Sequence, residues 1–190
     1  MEQASNLSWL EAVAWVATVV AAVVAAFALR RQSLQNRAAL LHQIYERWIA
    51  LAQNRNAFST FFWTKIKDLN QKHANLKTIA AIPRIRESFC EELKSIKDDD
   101  PDIFKKYVEY VSFFELIGVY VRNRYLPICD VIDVYKGPIL DIELAFRDFI
   151  DHWQDEEGVP EGLFANAIYL MKWVRFWNEH PRLYWLWTWC

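Results

Sequence analysis

The sequence predicts an all-α protein, in which one N-terminal transmembrane helix continues into a stalk and is followed by a cytoplasmic helical bundle. The chain of 190 residues has only four Gly and six Pro, and this scarcity favours long helices over a turn-rich sheet. Apolar residues make up 54% of the chain, which is sufficient for one domain with a hydrophobic core. Residues 7–29 contain one charge, Glu11, and a helix of that length extends about 34 Å, enough to cross a bilayer core.

The charges beside the apolar segment predict its orientation. Arg30, Arg31 and Arg37 follow the segment, whereas no Lys or Arg precedes it. A secretory signal would carry basic residues before a shorter apolar run, so we expect a transmembrane helix, with its flank, at residues 1–31. The positive-inside rule then places the N-terminus outside and the domain at residues 32–190 in the cytoplasm. The alternative is a buried core helix rich in Ala and Val.

The elements after the membrane segment follow from helical periodicity and from Pro. Apolar positions recur at helical spacing after Arg31, which predicts that the stalk continues to about residue 56. Pro83 opens a short helix, and the "DDDP" stretch ending at Pro101 stops that helix and begins the next. Further helices are predicted at residues 58–80, 101–123, 126–138, 139–157 and 160–180.

Composition distinguishes some of these elements. The helix at 101–123 is the most apolar outside the membrane segment, so we place it at the centre of the bundle. The acidic helix at 139–157 ends near Gly158. The C-terminal tail, "RLYWLWTWC", is too short to span a membrane. Its alternating Trp residues either cap the bundle or contact a partner or the membrane interface.

The predicted membrane helix carries small and polar residues in rows. Small residues recur at steps of four, a spacing that lets helices approach closely in lipid. A single helix has no use for a polar stripe in lipid, whereas several copies can turn it toward a common axis. The sequence therefore predicts a homo-oligomer, with pore-lining or oligomerisation residues Glu11, Ala14, Thr18, Ala21, Ala22 and Ala25. Alternatively, Glu11 lies at headgroup depth and has no role.

Three Arg–His pairs, at residues 37–42, 147–152 and 175–180, have four residues between their members. This spacing is typical of helical ribonucleases, in which His acts as general acid or base and Arg stabilises the phosphorane charge. Five helical residues turn the chain by about 500°, so the side chains of a pair point about 140° apart. A site would therefore require a second protomer or a helix end. The candidates in the bundle are Arg147, His152, Arg175 and His180.

The surroundings of the two bundle pairs differ. Seven acidic residues between positions 141 and 157 surround His152, and they would repel RNA phosphates. The surroundings of His180 are more basic. The structural alternative is ion pairing between residues four apart on a helix, Glu143 with Arg147 and Arg175 with Glu179.

The sequence indicates no other chemistry. It has no phosphate loop and no nucleophile elbow, and its Cys and His spacings form no zinc pattern. We therefore expect no metal and no other cofactor, and we expect Cys90, Cys129 and Cys190 to be reduced thiols. The net charge of -2 and the pI of about 6.1 do not suit a dedicated nucleic-acid binder, so support for RNA as a partner is weak.

The membrane helix, the helical domain and the Arg–His motifs together resemble the small accessory membrane proteins of type VI-B CRISPR systems. The resemblance implies a divergent HEPN-like fold and a ring in the bacterial inner membrane. It also implies cooperation with an RNA-guided effector nuclease, and antiphage defence by opening the membrane. "FFELIGVYVRN" (113–123) is similar to a broader group of uncharacterised bacterial membrane-anchored helical proteins, which would imply no activity.

Three functional hypotheses follow. The first is an oligomeric inner-membrane defence effector that forms a pore or perturbs the membrane. The second is a membrane-tethered, metal-independent endoribonuclease that uses one of the bundle Arg–His pairs. The third is a non-catalytic anchor that holds a cytoplasmic partner at the membrane. Of these, the enzyme is the less favoured expectation.

Overall fold

The backbone is described in the computed structural model for residues 2–72, 81–156, 159–160 and 162–181, and side chains for these residues except 2–17 and 19. Within this part of the chain there are six helices and no strand, which confirms the all-α prediction. The helices are α1 (Glu2–Ala50), α2 (Ala52–Lys72), α3 (Ile82–Asp99), α4 (Pro101–Arg122), α5 (Ile128–Gln154) and α6 (Ala165–Glu179).

The chain divides into two units, Met1–Tyr45 and Glu46–Cys190. The first unit is formed by most of α1. The second is a helical bundle that contains the end of α1 and the five later helices. The predicted division between residues 31 and 32 refers to a membrane boundary, and it stays a prediction.

No helix that the described residues form is both long enough and apolar enough to cross a membrane. The predicted span at 7–29 includes residues 7–17 and 19, whose side chains lie outside the described part of the structure. The predicted Trp-rich tail at 182–190 also lies outside the described residues.

The first turn of the bundle comes earlier than predicted. Leu51 separates α1 from α2, about five residues before the expected end of the stalk. Hydrogen bonds from Leu51 N to Arg47 O at 3.1 Å and from Arg55 N to Leu51 O at 2.9 Å maintain helical geometry on both sides. The predicted helix at 58–80 therefore begins at Ala52, and its residues 73–80 lie outside the description.

Aromatic side chains fill the centre of the bundle. The Trp48 ring lies 5.3 Å from Phe113 and 5.0 Å from Tyr135, measured between ring centroids. On α2, the Phe58 ring lies 5.2 Å from Tyr110 and 5.7 Å from Phe146. As predicted, α4 supplies the middle of this core, where its buried residues are Phe104, Tyr107, Tyr110, Val111, Phe113, Phe114, Ile117, Gly118 and Val121.

The region after α4 corrects two predictions. The expected short helix at 126–138 and the acidic helix at 139–157 form one helix, α5, which contains Pro138 in its interior. An interior Pro destabilises a helix by about 3 kcal/mol because it lacks an N–H group and clashes with the preceding turn. Tyr135 and Ile139 on either side of Pro138 are buried. Tertiary packing of this apolar face therefore outweighs the local preference.

The last helix begins five residues later than predicted. Gly162 has a φ of 77° and Phe164 a φ of 61°, and these left-handed conformations cannot continue a right-handed helix. The helix α6 therefore starts at Ala165 rather than Pro160, and ends at Glu179, before Pro181. Phe164 gives α6 no side-chain cap, so the start of the helix depends on groups from elsewhere.

Candidate functional site

A continuous exposed apolar surface lies on α1. Every residue from Val20 to Asn36 is exposed, with Val24 at 61% and Phe27 at 69% of full exposure. Such side chains are usually buried, because leaving one in water forgoes about 1.5–3 kcal/mol. Of the predicted pore-lining or oligomerisation residues, the exposed ones are Thr18, Ala21, Ala22 and Ala25, and the side chains of Glu11 and Ala14 lie outside the described part.

Arg147 does not form the predicted ion pair with Glu143. Its Nη2 atom instead forms an ion pair with Asp151 Oδ1 at 3.1 Å, one turn further along α5. Its Nη1 atom is buried and has no hydrogen-bond partner among the described residues. The other member of the pair, His152, is exposed on the last turn of α5. The guanidinium is thus held by an acid on its own helix.

Glu143 instead joins three helices. Its Oε1 atom accepts hydrogen bonds from Arg86 Nη2 on α3 and, at 3.4 Å, from Arg175 Nη1 on α6. The Glu143 side chain is only 13% exposed, so its charge needs cations close by. Arg86 could not be recognised from the sequence as a partner of Glu143, because no local spacing links two residues that lie 57 positions apart.

The predicted ion pair between Arg175 and Glu179 is confirmed. Arg175 Nε donates to Glu179 Oε1 at 2.9 Å, and this hydrogen bond raises the pKa of Arg175 and lowers the pKa of Glu179. The His180 ring stacks on Phe176 with 4.7 Å between centroids. Its Nδ1 atom lies 2.9 Å from the Phe176 carbonyl oxygen. Both members of this Arg–His pair therefore have structural contacts.

The two candidate His residues lie at opposite ends of the α5–α6 pair. The connection at 155–164 and the contact between Glu143 and Arg175 make the two helices antiparallel. From that contact, His152 lies nine residues along α5 and His180 five residues along α6, in opposite directions. At 1.5 Å per residue, the two His residues are about 20 Å apart along the helices. One chain therefore cannot combine them in a single acid–base site.

Within the described residues, no group of His, Cys, Asp and Glu side chains is placed to hold a metal ion. Cys90 and Cys129 are not joined in a disulfide, and Cys129 Sγ lies 3.9 Å from Asp130 Oδ1. Burial raises the pKa of Cys90, which lowers its thiolate fraction and its reactivity at neutral pH.

Asp141 on α5 is an acid with altered titration. Burial raises its pKa from 3.8 to about 6. Burial, together with the negative charge of Asp141, also raises the pKa of Tyr110. Asp141 therefore changes charge not far below neutral pH, and nothing in the sequence around it indicated this.

A groove of about 680 Å³ lies between α2, α3 and α4. The polar side chains in its wall include Thr60, Thr64 and Lys65. Lys65 Nζ lies 2.9 Å from Glu92 Oε2 across the groove. The groove is open to solvent and its one lysine is paired, so it indicates no particular ligand.

The outer side of α6 is aromatic. Tyr169, Trp173 and Phe176 follow one another along it, with ring centroids 6.3 and 6.0 Å apart. They line two shallow clefts of about 290 Å³ each, in which Lys172 and Arg124 are the charged residues. We name these five residues the α6 aromatic surface. The spacing of three and four residues was visible in the sequence, but it was indistinguishable there from a core-facing stripe.

A family model described as a domain of unknown function, DUF4760, matches residues 15–173, more than four fifths of the chain. No curated protein and no solved structure matches the chain. The family description does not connect the chain with type VI-B accessory proteins or with HEPN ribonucleases, so that resemblance stays a prediction. The match includes most of α1 and continues into α6, and the chain therefore belongs to the DUF4760 family.

Proposed function

We propose that this protein is a membrane-anchored, self-associating helical module without catalytic activity, in which residues 7–29 of α1 cross the bilayer. The observation that carries the proposal is the exposure of every apolar side chain between Val20 and Leu34. This surface needs a non-aqueous environment, because exposed apolar area is unfavourable in water.

A lipid bilayer suits this apolar surface better than a hydrated contact between the bundles of two copies would. The sequence of α1 between residues 12 and 29 contains no charged residue, so all sides of the helix are compatible with lipid. Exposed Arg30 and Arg31 follow directly. Basic residues at that position bind anionic headgroups of the cytoplasmic leaflet.

Self-association is the second part of the proposal. Thr18 and Ala22 are exposed four residues apart, as are Ala21 and Ala25, and small residues at that spacing allow close helix packing in lipid. A ring of such helices could surround a pore that perturbs the inner membrane. A more specific form of the proposal is that this ring cooperates with an RNA-guided effector nuclease in antiphage defence. That form rests on the sequence resemblance.

We assign structural roles to the Arg–His pairs. Arg147 is held by Asp151, and Arg175 by Glu143 and Glu179. Each cation is thereby neutralised in part, which weakens it as a stabiliser of a phosphorane charge. The two His residues of one chain are also too far apart to act together, so an acid–base site would require a second protomer, and no observation favours the ribonuclease hypothesis.

The test is flotation of the full-length protein with liposomes on a density gradient. We expect the wild type to float and Val20→Lys to float much less, because a Lys near the centre of a membrane helix costs about 2.5–3.5 kcal/mol. Gln35→Lys is the matched control, since Gln35 is an exposed α1 residue outside the apolar segment. Equal flotation of Val20→Lys and Gln35→Lys would contradict the proposal.

A further inference from the structure

We infer that residues 34–45 of α1 form a parallel coiled coil with the same segment of a second copy of this chain. The contact is made by four apolar residues, Leu34, Ala38, Leu41 and Tyr45, which we name the stalk seam. The inference rests on the proposed function, because the membrane anchor holds the copies side by side. It adds a contact outside the bilayer, made by different residues from the rows of small residues at 18–25.

The stalk seam has the spacing of a coiled coil. Its residues follow one another at intervals of four, three and four, which are the alternating steps between the a and d positions of a heptad. The same steps continue back along α1 through Arg31 to Phe27, Val24 and Val20. Seven of the eight positions from Val20 to Tyr45 are therefore apolar, over more than three heptads, which is the pattern expected of a coiled coil.

The stalk seam is exposed in the described part of the chain. All four of its residues are exposed, and Leu34 and Tyr45 keep 56% and 58% of their full exposure. All four belong to the unit Met1–Tyr45, so the seam is one face of one helix. Apolar side chains of this size are unfavourable in water, and a row of them on a polar helix marks a surface for a partner.

The bilayer does not cover this seam. The proposed span ends at residue 29, and at 1.5 Å per residue Leu41 lies about 18 Å further along the helix. The headgroup layer is only about 5–8 Å thick on each side of the bilayer. Most residues on the other faces of this segment are polar, namely Gln32, Ser33, Gln35, Asn36, Arg37, His42 and Gln43. An apolar stripe on a polar helix indicates contact with protein rather than with lipid.

A second copy is the occupant that the anchor selects. A chain that crosses the bilayer once has the same orientation in every copy, so the same residue lies at the same depth. Parallel helices in register bring each seam residue against its own counterpart, and an apolar seam is complementary to itself. Anchoring also raises the effective concentration of one copy around another, which allows a short seam to pair.

The charge pattern also favours an identical partner. Between residues 32 and 45 the one Lys, Arg, Asp or Glu is Arg37, so two copies of this segment repel one another weakly. Arg31 occupies a seam position, but it adjoins the span, where anionic headgroups offset the repulsion between two opposed cations. A partner recognised by charge would need a charged seam, whereas this seam is apolar.

The test is photo-cross-linking of the full-length protein in phosphatidylcholine–phosphatidylserine vesicles. A benzophenone amino acid replaces Leu41 in one variant and Gln43 in the other. Gln43 is the matched control, because it is exposed and lies about 200° around the helix from Leu41. We expect the probe at Leu41 to give a two-chain product, with twice the 22.6 kDa of one chain, at several times the yield of the probe at Gln43. Peptide mapping should place the cross-link within residues 38–45 of the second chain.

The outcomes separate the seam from the anchor. If neither variant floats with the vesicles, the membrane anchor is wrong and the inference falls with it. If both variants float but cross-link to the same extent, only the seam is wrong. If the probe at Leu41 attaches to the helical bundle, or to no protein, the stalk seam does not pair with its counterpart and the inference is overturned.

Paired charge substitutions provide a second measurement by native mass spectrometry of the detergent-solubilised protein. Leu34→Glu with Leu41→Glu places two acids in the seam. Asn36→Glu with Gln43→Glu places two acids seven residues apart at exposed positions on the other side of the helix. We expect smaller assemblies for the first variant and the wild-type assembly for the second, because opposed acids in a seam repel.

The two variants also distinguish the seam from the rows of small residues. An unchanged assembly in Leu34→Glu with Leu41→Glu, together with dissociation in Ala22→Leu, would overturn the seam and leave the proposed self-association intact. Equal dissociation in the two charge variants would show that added charge, rather than the seam, controls assembly, and would also overturn the inference.

Discussion

Glu115 shows how one residue can position a distant helix. Its Oε2 atom accepts a hydrogen bond from Ala167 N at 2.7 Å, and its Oε1 atom accepts one from Asn166 Nδ2 at 2.6 Å. A carboxylate satisfies the free N–H groups of a helix start and interacts favourably with the helix dipole. Glu115 on α4 therefore supplies the cap that Phe164 does not provide, which explains an acid in an otherwise apolar stretch.

Gly118 and Gly137 should respond in opposite ways to replacement by Ala. A Cβ atom on Gly118 would lie 2.2 Å from the Asn166 carbonyl oxygen, whereas one on Gly137 would meet nothing within 4 Å. We expect Gly118→Ala to destabilise the bundle by about 1–3 kcal/mol through overpacking. Gly137→Ala should stabilise it by up to about 1 kcal/mol, because Gly is a poor helix former.

Chemical denaturation of the detergent-solubilised protein, followed by circular dichroism, measures both effects. The comparison tests the close contact of α4 with the start of α6. An unfolding midpoint for Gly118→Ala at or above that of Gly137→Ala would show that this contact is incorrect.

Asp141 should make stability depend on pH. Its pKa is about 6 in the folded protein, against 3.8 ordinarily, so the unfolded chain releases this proton at lower pH. Below about pH 4 Asp141 does not change the free energy of unfolding, because it is protonated in both states. As pH rises to about 6, its ionisation increasingly favours the unfolded state. After allowance for partial solvent screening, the expected loss is about 1–2 kcal/mol.

The variant Asp141→Asn isolates this effect. We expect it to be more stable than the wild type at pH 7, and the difference to disappear near pH 4, in unfolding experiments over that range. A stability difference that is constant from pH 4 to pH 7 would rule out titration of Asp141 as the cause.

At the scale of elements, α5 shows where local rules are insufficient. Gly137 and Pro138 predict a helix end, yet α5 continues through both. The decisive contacts come from other helices. Tyr135, for example, packs against Trp48 of α1, with 5.0 Å between ring centroids. Such partners cannot be identified from residue spacing within one segment. The prediction of two separate helices at 126–138 and 139–157 was therefore wrong.

Self-association of α1 is tested by a pair of substitutions of similar chemistry. Ala22→Leu enlarges a residue in the row of small residues that contains Thr18 and Ala22. Val24→Leu instead changes an exposed apolar residue that lies neither in this row nor in the row of Ala21 and Ala25. We expect native mass spectrometry of detergent-solubilised protein to show a discrete oligomer for the wild type and Val24→Leu. Ala22→Leu should shift it toward monomer, because a larger side chain keeps helices apart. A monomeric wild type, or no shift in Ala22→Leu, would refute packing through this row.

At the scale of the whole molecule, helical class and core composition were predictable because they depend on periodicity and on the scarcity of Gly. The central position of α4 followed from its apolar composition. The ion-pair group of Arg86, Glu143 and Arg175 was not predictable, since it joins three helices. The direction of the aromatic side of α6 was equally hidden, because a surface stripe and a core stripe have the same spacing.

The membrane anchor is the central claim about the molecule, and alkaline carbonate extraction of membranes from cells producing the full-length protein tests it most directly. Carbonate removes peripheral proteins held by charge, but a helix buried in lipid stays with the membrane. A density gradient after extraction separates membrane-bound protein from aggregates. We expect the protein to remain in the floating membrane fraction. Release of the protein into the carbonate supernatant would contradict it.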